Sequence, residues 1–373
     1  MPHLLDNLDR RLGHWAEAHG LPGYRRKQVR QWLFEKRVGD WQEMSNLPKG
    51  LRDQLAAELP IWTAGVAKHI TAGDGTEKLL LSLGGPTGGG AGGQIECVLL
   101  REGVGAREKQ GGKANAAARR TVCVSSQVGC GMGCVFCASG LEGVDRNLSA
   151  GEIVEQMLLL QRRLAPDERL SHIVMMGMGE PLANLDNVLA ALDEASREDG
   201  LGISPRRITI STVGLPKAIR RLGDADARYR LAISLHAPTD ELRNQIVPIN
   251  HKVGIDEIMA AADDYYEKSR RRLTFEYVLL AGLNDHAEHA RQLVRLLGDR
   301  HCLLNVIPYN PVEGLPYETP SLATQKSFRR MLEEGGVSVR FRHRKGDKIN
   351  AACGQLRRNT AVTIPLSRLS PTT

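Results

Sequence analysis

Aromatic residues are scarce, at 4% of the chain, which argues against a flat stacking platform for unpaired bases. Long hydrophobic runs are missing. No stretch approaches the roughly 18 consecutive apolar residues of a membrane helix, so no membrane partner is expected. The opening residues, MPHLLDNLDRRLGHW, mix acids and bases without an apolar core. They do not read as a secretory leader, and a cytoplasmic location is expected. Compositional skew is absent as well. A chain with 42% hydrophobic and 25% charged residues is neither disordered, collagen-like nor coiled coil. Seven cysteines make an odd number in 373 residues, which speaks against a disulfide framework and for reduced thiols, some of them ligands.

What is present is unevenly spread. The net charge is +7, and residues 321–360 alone hold ten Lys and Arg against three acids. Arg340, Arg342, Arg344, Lys345, Lys348, Arg357 and Arg358 stand within 340–358. Such a run suits a polyanion, although most basic runs are solvated faces. A second basic cluster, Arg25, Arg26, Lys27 and Arg30, lies in GYRRKQVRQWLFEK. There Val29, Trp32 and Leu33 form an apolar stripe at helical spacing. Residues 84–112 hold 11 of the 39 glycines, read as two flexible loops flanking a strand at 94–100.

From residue 119 onward the chain alternates. Strand-like runs begin near Arg120, His172, Arg207, Tyr229, Leu273 and Cys302. Helical stretches are expected at 150–164, 185–197, 215–222, 255–268, 287–299 and 322–334, and a seventh short strand follows at Val337. Six β–α units predict an α/β fold, a parallel sheet bent into a partial, laterally open barrel. A closed barrel of this type needs eight units. The expected organisation is an N-terminal helical domain at 1–57, a strand-containing linker with Gly-rich insertions at 58–118, the barrel at 119–358 and a tail at 359–373.

The strongest local signal is CGMGCVFC, which spaces Cys130, Cys134 and Cys137 as C-x3-C-x2-C directly after the first barrel strand. Three thiolates can hold three corners of a [4Fe–4S] cube and leave the fourth iron open to a ligand. A structural zinc site is the alternative, but it usually takes four ligands, and no fourth Cys or His lies near this loop. Further short motifs follow successive strands: MMGMGEPL with Gly179 and Glu180, STVG with Ser211, SLHAPTD with Ser234, Leu235 and His236, and IPYNP with Asn310. Each is weak alone. Together they place polar groups at strand carboxyl ends, where barrels carry their sites.

The cysteine spacing resembles the radical S-adenosylmethionine (SAM) superfamily. Taken with TVCVSSQVGC, DRNLSAGEIVEQ and GDKINAACGQL, the chain resembles the RlmN/Cfr family of RNA adenosine methyltransferases from about residue 20 to residue 357. The resemblance implies a [4Fe–4S] cluster on Cys130, Cys134 and Cys137. It implies SAM, two molecules per turnover, on Gly179, Glu180, Ser211, Ser234, Leu235, His236 and Asn310. It makes Cys353 the methyl-carrying cysteine, Cys123 the resolving cysteine and Glu96 the proton acceptor. The substrates it implies are 23S rRNA near the peptidyl-transferase centre and tRNA beside the anticodon, methylated at carbon 2 of adenine. Carbon 8 is the sister activity. A flavodoxin-like electron donor and a monomeric enzyme complete the expectation, with the N-terminal helices gripping folded RNA. Two rivals remain: a radical enzyme on a peptide or small molecule, and a zinc-bearing RNA-binding protein without catalysis.

The chemistry suits these residue types. Carbon 2 of adenine and the methyl of SAM are both electrophilic, so direct transfer is mismatched. A thiolate accepts the methyl first, being the best protein nucleophile. A carbon radical made from that S-methyl group can then add to the ring. A carboxylate can take the displaced proton, and a second thiol can break the protein–RNA thioether. Outside the resemblance, Cys97 and Cys302 read as core residues, and Glu96 reads as a surface acid beside a loop.

Overall fold

A computed structural model describes residues 3–84, 92–102, 118–225, 228–342 and 349–356. Arg344, Lys345, Lys348, Arg357 and Arg358, the tail from 359, and most of both Gly-rich insertions lie outside the described residues.

Three helices open the chain: α1 (Leu8–Ala18), α2 (Tyr24–Arg30) and α3 (Lys49–Glu58). The stripe of Val29, Trp32 and Leu33 is buried, as its spacing predicts. Arg30 is not part of a free basic cluster. Its side chain is buried between Glu194 at 2.6 Å, Asp199 at 2.8 Å and Asp9 at 3.5 Å. It ties the helical segment to the barrel, because a buried guanidinium must find its counter-charges. Arg26 and Lys27 remain exposed.

Next come β1 (Gly65–Thr71), β2 (Glu77–Leu83) and β3 (Gly93–Arg101), an antiparallel meander. Only the last of these was expected from the sequence. β3 pairs antiparallel with β4 (Arg120–Cys123), so the segment before the barrel extends the barrel's own sheet. A small hairpin of β5 (Gln127–Gly129) and β6 (Val144–Asn147) frames the cysteine loop.

Parallel strands then follow in sequence order: β7 (His172–Met175), β8 (Ile208–Thr212), β9 (Arg230–Ser234), β10 (Leu273–Leu279), β11 (Cys302–Pro308) and β12 (Val339–Phe341). The crossovers carry α4 (Ala150–Gln161), α5 (Leu185–Ser196), α6 (Pro216–Asp224), α7 (Asp240–Ile246), α8 (Ile255–Ser269), α9 (Ala287–Leu297) and α10 (Leu322–Glu334). Strands β10 and β11 are mostly buried on both faces, as parallel strands under helices must be. Among the described residues the strand order runs from β1 to β12 without β12 pairing to β4. The barrel therefore has six β–α units and an open side between those two strands.

Local chemistry sets the helix entries. Ser149 accepts from Glu152 N, and the Glu152 carboxylate accepts from Ser149 N at 2.9 Å. Such a reciprocal cap contributes about 1 kcal/mol. Every residue of α4 is buried, since the N-terminal helices cover the face that a barrel helix ordinarily shows to water.

Candidate active site

The cysteine loop, 130–140, sits on the carboxyl ends of the strands. Cys130 N donates to Gly143 O at 2.8 Å, and Cys137 N donates to Cys134 O at 3.1 Å. Gly133 takes a left-handed turn (φ +66°), and Gly140 packs against the Gly133 and Cys134 backbone, where a Cβ would be in ordinary contact at 3.4–3.5 Å. Burial pushes the Cys130 thiol up to about 12, with Cys137 and Glu180 adding to it. Burial also raises Cys134 and Cys137. Three neighbouring thiols that resist ionisation on their own fit a cationic group that ionises them on binding. Among the described residues no three Cys, His, Asp or Glu side chains converge on a point for a single metal ion.

These thiols line a cavity of about 150 Å³. Gly179, Glu180, Ser211, Ser234 and His236 line it too, as the resemblance implies, and Cys353 closes its far side. Gly179 has a φ of +100°, and a Cβ there would lie 2.6 Å from Gln127. Only glycine fits. Glu180 is buried, and burial raises its carboxyl to about 6. Its oxygens accept from Leu182 N at 3.0 Å and Val213 N at 2.8 Å. His236 is held in a left-handed conformation (φ 60°). Its Nδ1 accepts from Val278 N at 3.1 Å, and its ring meets Phe136 edge-on at 4.8 Å. Burial, then Arg243, lowers His236 to about 3. The ring is neutral, with Nδ1 occupied as an acceptor and Nε2 carrying the proton.

Arg243 is a fully buried side chain that the sequence reading missed. It donates to the carbonyls of Leu235 and Ser234 at 3.0 Å, to Asn250 at 2.6 Å and to Val213 O. It thus locks the ends of β8 and β9 together. Leu235 itself is a core side chain with its amide on Glu276 O.

A second cavity, about 350 Å³, opens on the lateral gap. Cys123, the last residue of β4, and Cys353 both line it, as do Asn310 and Arg342. Both cysteines are free thiols; Cys123 is buried and Cys353 exposed. Burial, with Cys353 adding to it, pushes Cys123 up to about 12, while Arg342 pulls it down. Arg342 Nη1 reaches Cys353 Sγ at 3.8 Å.

Segment 349–356 carries Cys353 and is pinned on three sides. Ala138 N donates to Gly354 O at 2.8 Å, Asn310 Nδ2 to Cys353 O at 3.2 Å, and Lys78 Nζ to Asn350 O at 2.9 Å.

Glu96 is buried, not a surface acid. Its carboxylate pairs with Lys78 Nζ at 2.8 Å. Neither cavity includes it, but Lys78 links it to the Cys353 segment. Cys97 and Cys302 are core residues, as expected. Glu276, unmarked in the sequence reading, is buried, lines the first cavity, and has Oε2 without a hydrogen-bond partner. A lone charge in an apolar strand was the available signal for Glu276 in LTFEYVLL, and a charged pair opening an apolar run was the signal for Lys78 in EKLLLSL.

Comparison with known proteins agrees with this geometry. The Radical SAM superfamily model matches residues 124–294, and the model of the ribosomal RNA large subunit methyltransferase N-terminal domain matches residues 3–61. The chain is 59% identical, over 96% of its length and 91% of the relative's, to a probable dual-specificity RNA methyltransferase RlmN of Rhodopirellula baltica. It is 43% identical to the dual-specificity RNA methyltransferase RlmN of Nitratidesulfovibrio vulgaris, over 91% of this chain and 89% of that one. The crystal structure of a radical SAM methyltransferase from Sphaerobacter thermophilus superposes with a TM-score of 0.86 at 39% identity, covering 95% of this chain and 99% of that one. The chain belongs to the RlmN family of radical SAM RNA methyltransferases, which work with a [4Fe–4S] cluster and SAM.

Proposed function

We propose that this enzyme methylates carbon 2 of an adenosine in 23S rRNA, and an adenosine beside the tRNA anticodon, by way of S-methylated Cys353. One observation carries the reading. Cys353 lines both cavities: the first with the three loop thiols, the second with Cys123.

When bound, the cluster and SAM supply a one-electron cleavage that yields a 5′-deoxyadenosyl radical. Cys130, Cys134 and Cys137 would hold the cluster, with Gly179, Glu180, Ser211, Ser234 and His236 around SAM. The chain's own residues do the rest. Cys353 attacks the methyl of a first SAM as a thiolate, the form of cysteine that is nucleophilic, with the Arg342 guanidinium beside its sulfur. Its S-methyl group then gives up a hydrogen atom, and the carbon so exposed bonds to carbon 2 of the adenine. The adduct loses the ring proton, which Glu96 accepts once freed from Lys78, and one electron, which would return to the cluster that supplied one for SAM cleavage. Cys123 attacks the Cys353 sulfur, a disulfide forms, and the sulfur–carbon bond breaks. The released carbon takes a proton and becomes the methyl group.

A Cys123→Ala variant tests this sequence of steps. It is expected to stall with Cys353 joined to RNA through a thioether, seen as an RNA-bearing band on a denaturing gel. Free methylated RNA formed at the wild-type rate by that variant would exclude the role of Cys123.

A further inference from the structure

The amino-terminal ends of the barrel strands carry cations drawn from distant parts of the sequence. His172 opens β7 and Arg230 opens β9, while Arg119 and Arg207 directly precede β4 and β8. Arg340 on β12 lines the second cavity with Arg119, across the gap between β4 and β12. Arg207, Arg230 and Arg340 are exposed, and none has an acidic partner at ion-pair distance among the described residues. Glu102, 3.9 Å from Arg119, is the acid at the cavity wall.

The same face continues outward. A groove of about 1150 Å³ separates the helical segment from these strand ends, with Lys27, Arg169 and Arg207 on its walls. The acids Glu35, Glu198 and Asp199 also line it, but Asp199 is already paired with Arg30 and Arg197. Ala118 lines this groove and its neighbour Arg119 lines the second cavity, so the two adjoin at these consecutive residues. The local field is positive enough to act on His172. Burial first, then Arg119, Arg207 and Arg230, hold it down at about 4.

A positive field that runs from an open groove to a reactive pair of thiols calls for a polyanion whose bases enter the cavity. We propose that RNA docks its phosphodiester backbone on this face, along the groove and over Arg207, Arg230 and Arg340, and passes the target adenosine through the gap between β4 and β12 to Cys123 and Cys353. The inference rests on the reading of the enzyme as an RNA adenosine methyltransferase. It adds the entry face and the residues that form it.

The test is RNA affinity by fluorescence anisotropy across a salt series, using the full chain and a stem–loop RNA with an unpaired adenosine. The triple variant Arg207→Gln/Arg230→Gln/Arg340→Gln is compared with wild type and with Arg291→Gln/Arg295→Gln, which removes two exposed charges from α9. The rim variant is expected to bind more weakly. Its slope of log affinity against log salt should be shallower by about 0.7 for each single-strand phosphate it no longer neutralises. The α9 variant is expected to match wild type. Equal affinity and slope in the rim variant, with wild type binding normally, would overturn the entry face while leaving the RNA reading intact. Failure of wild type itself to bind RNA would overturn the RNA reading, and with it the entry face.

Discussion

Arg342 Nη1 stands 3.8 Å from Cys353 Sγ, and the same guanidinium is held in its charged form by Cys353, Glu276 and Cys123 around it. One cation therefore serves both thiols. Replacing it with Arg342→Met is expected to slow alkylation of Cys353 by iodoacetamide, because the reacting sulfur loses the cation that contacts it. Arg342→Lys should restore much of the rate because it keeps the charge. Peptide mass spectrometry separates Cys353 from the other six cysteines. Equal rates in all three proteins would mean that Arg342 only packs.

The Lys78–Glu96 pair yields a stability prediction. Both side chains are buried at the edge of the barrel. Lys78→Met removes the cation paired with a buried carboxylate and is expected to cost about 3–5 kcal/mol in urea unfolding. Adding Glu96→Gln should recover a large part of that loss. A double variant no more stable than the single would show that the two do not act as a pair.

Glu96→Gln alone separates the two halves of turnover. Methyl uptake by Cys353 needs no base for the adenine and should proceed as in wild type. RNA product should fall by about 10²-fold or more, the usual contribution of a positioned base. A loss of Cys353 methylation instead would place Glu96 in the first half-reaction.

The histidines give the pH dependence its sign. His236 is lowered to about 3, chiefly by burial, against about 6.5 in an unfolded chain. Between those values the unfolded chain binds the extra proton, so this contribution to stability grows as pH rises from about 3 to 6.5 and is flat above. His236→Asn should therefore lose less stability than wild type between pH 7 and pH 5. Identical losses would mean that His236 titrates normally.

Much of this was legible in the sequence because it was local. The C-x3-C-x2-C loop, the apolar strands from Arg120 to Cys302 and the helical stretch at 150–164 each declare themselves within a few residues. What was missed depends on long-range meetings. Arg30 sits in a basic cluster by sequence, yet it is neutralised by Glu194 and Asp199 more than 160 residues away. Glu96 looked exposed because its partner lies on β2, a strand whose EKLLLSL pattern has no clean alternation. The antiparallel meander was unread for the same reason. The approach of Arg342 to Cys353, 11 residues on, depends on how segment 349–356 folds back over the barrel, which no spacing rule encodes.

The cysteine loop makes a direct compositional prediction. Cys134→Ser should lower bound iron and visible absorbance after anaerobic reconstitution while leaving RNA affinity unchanged. Zinc in place of iron in the wild-type protein would remove the basis for radical chemistry.

The most direct measurement is the identity of the product. The reconstituted enzyme would be given SAM, a reductant and unmodified ribosomal RNA or tRNA, and the RNA digested to nucleosides for mass spectrometry against both methyladenosine standards. The expected result is 2-methyladenosine that disappears in Cys353→Ala. Formation of 8-methyladenosine, or of 2-methyladenosine without Cys353, would contradict it.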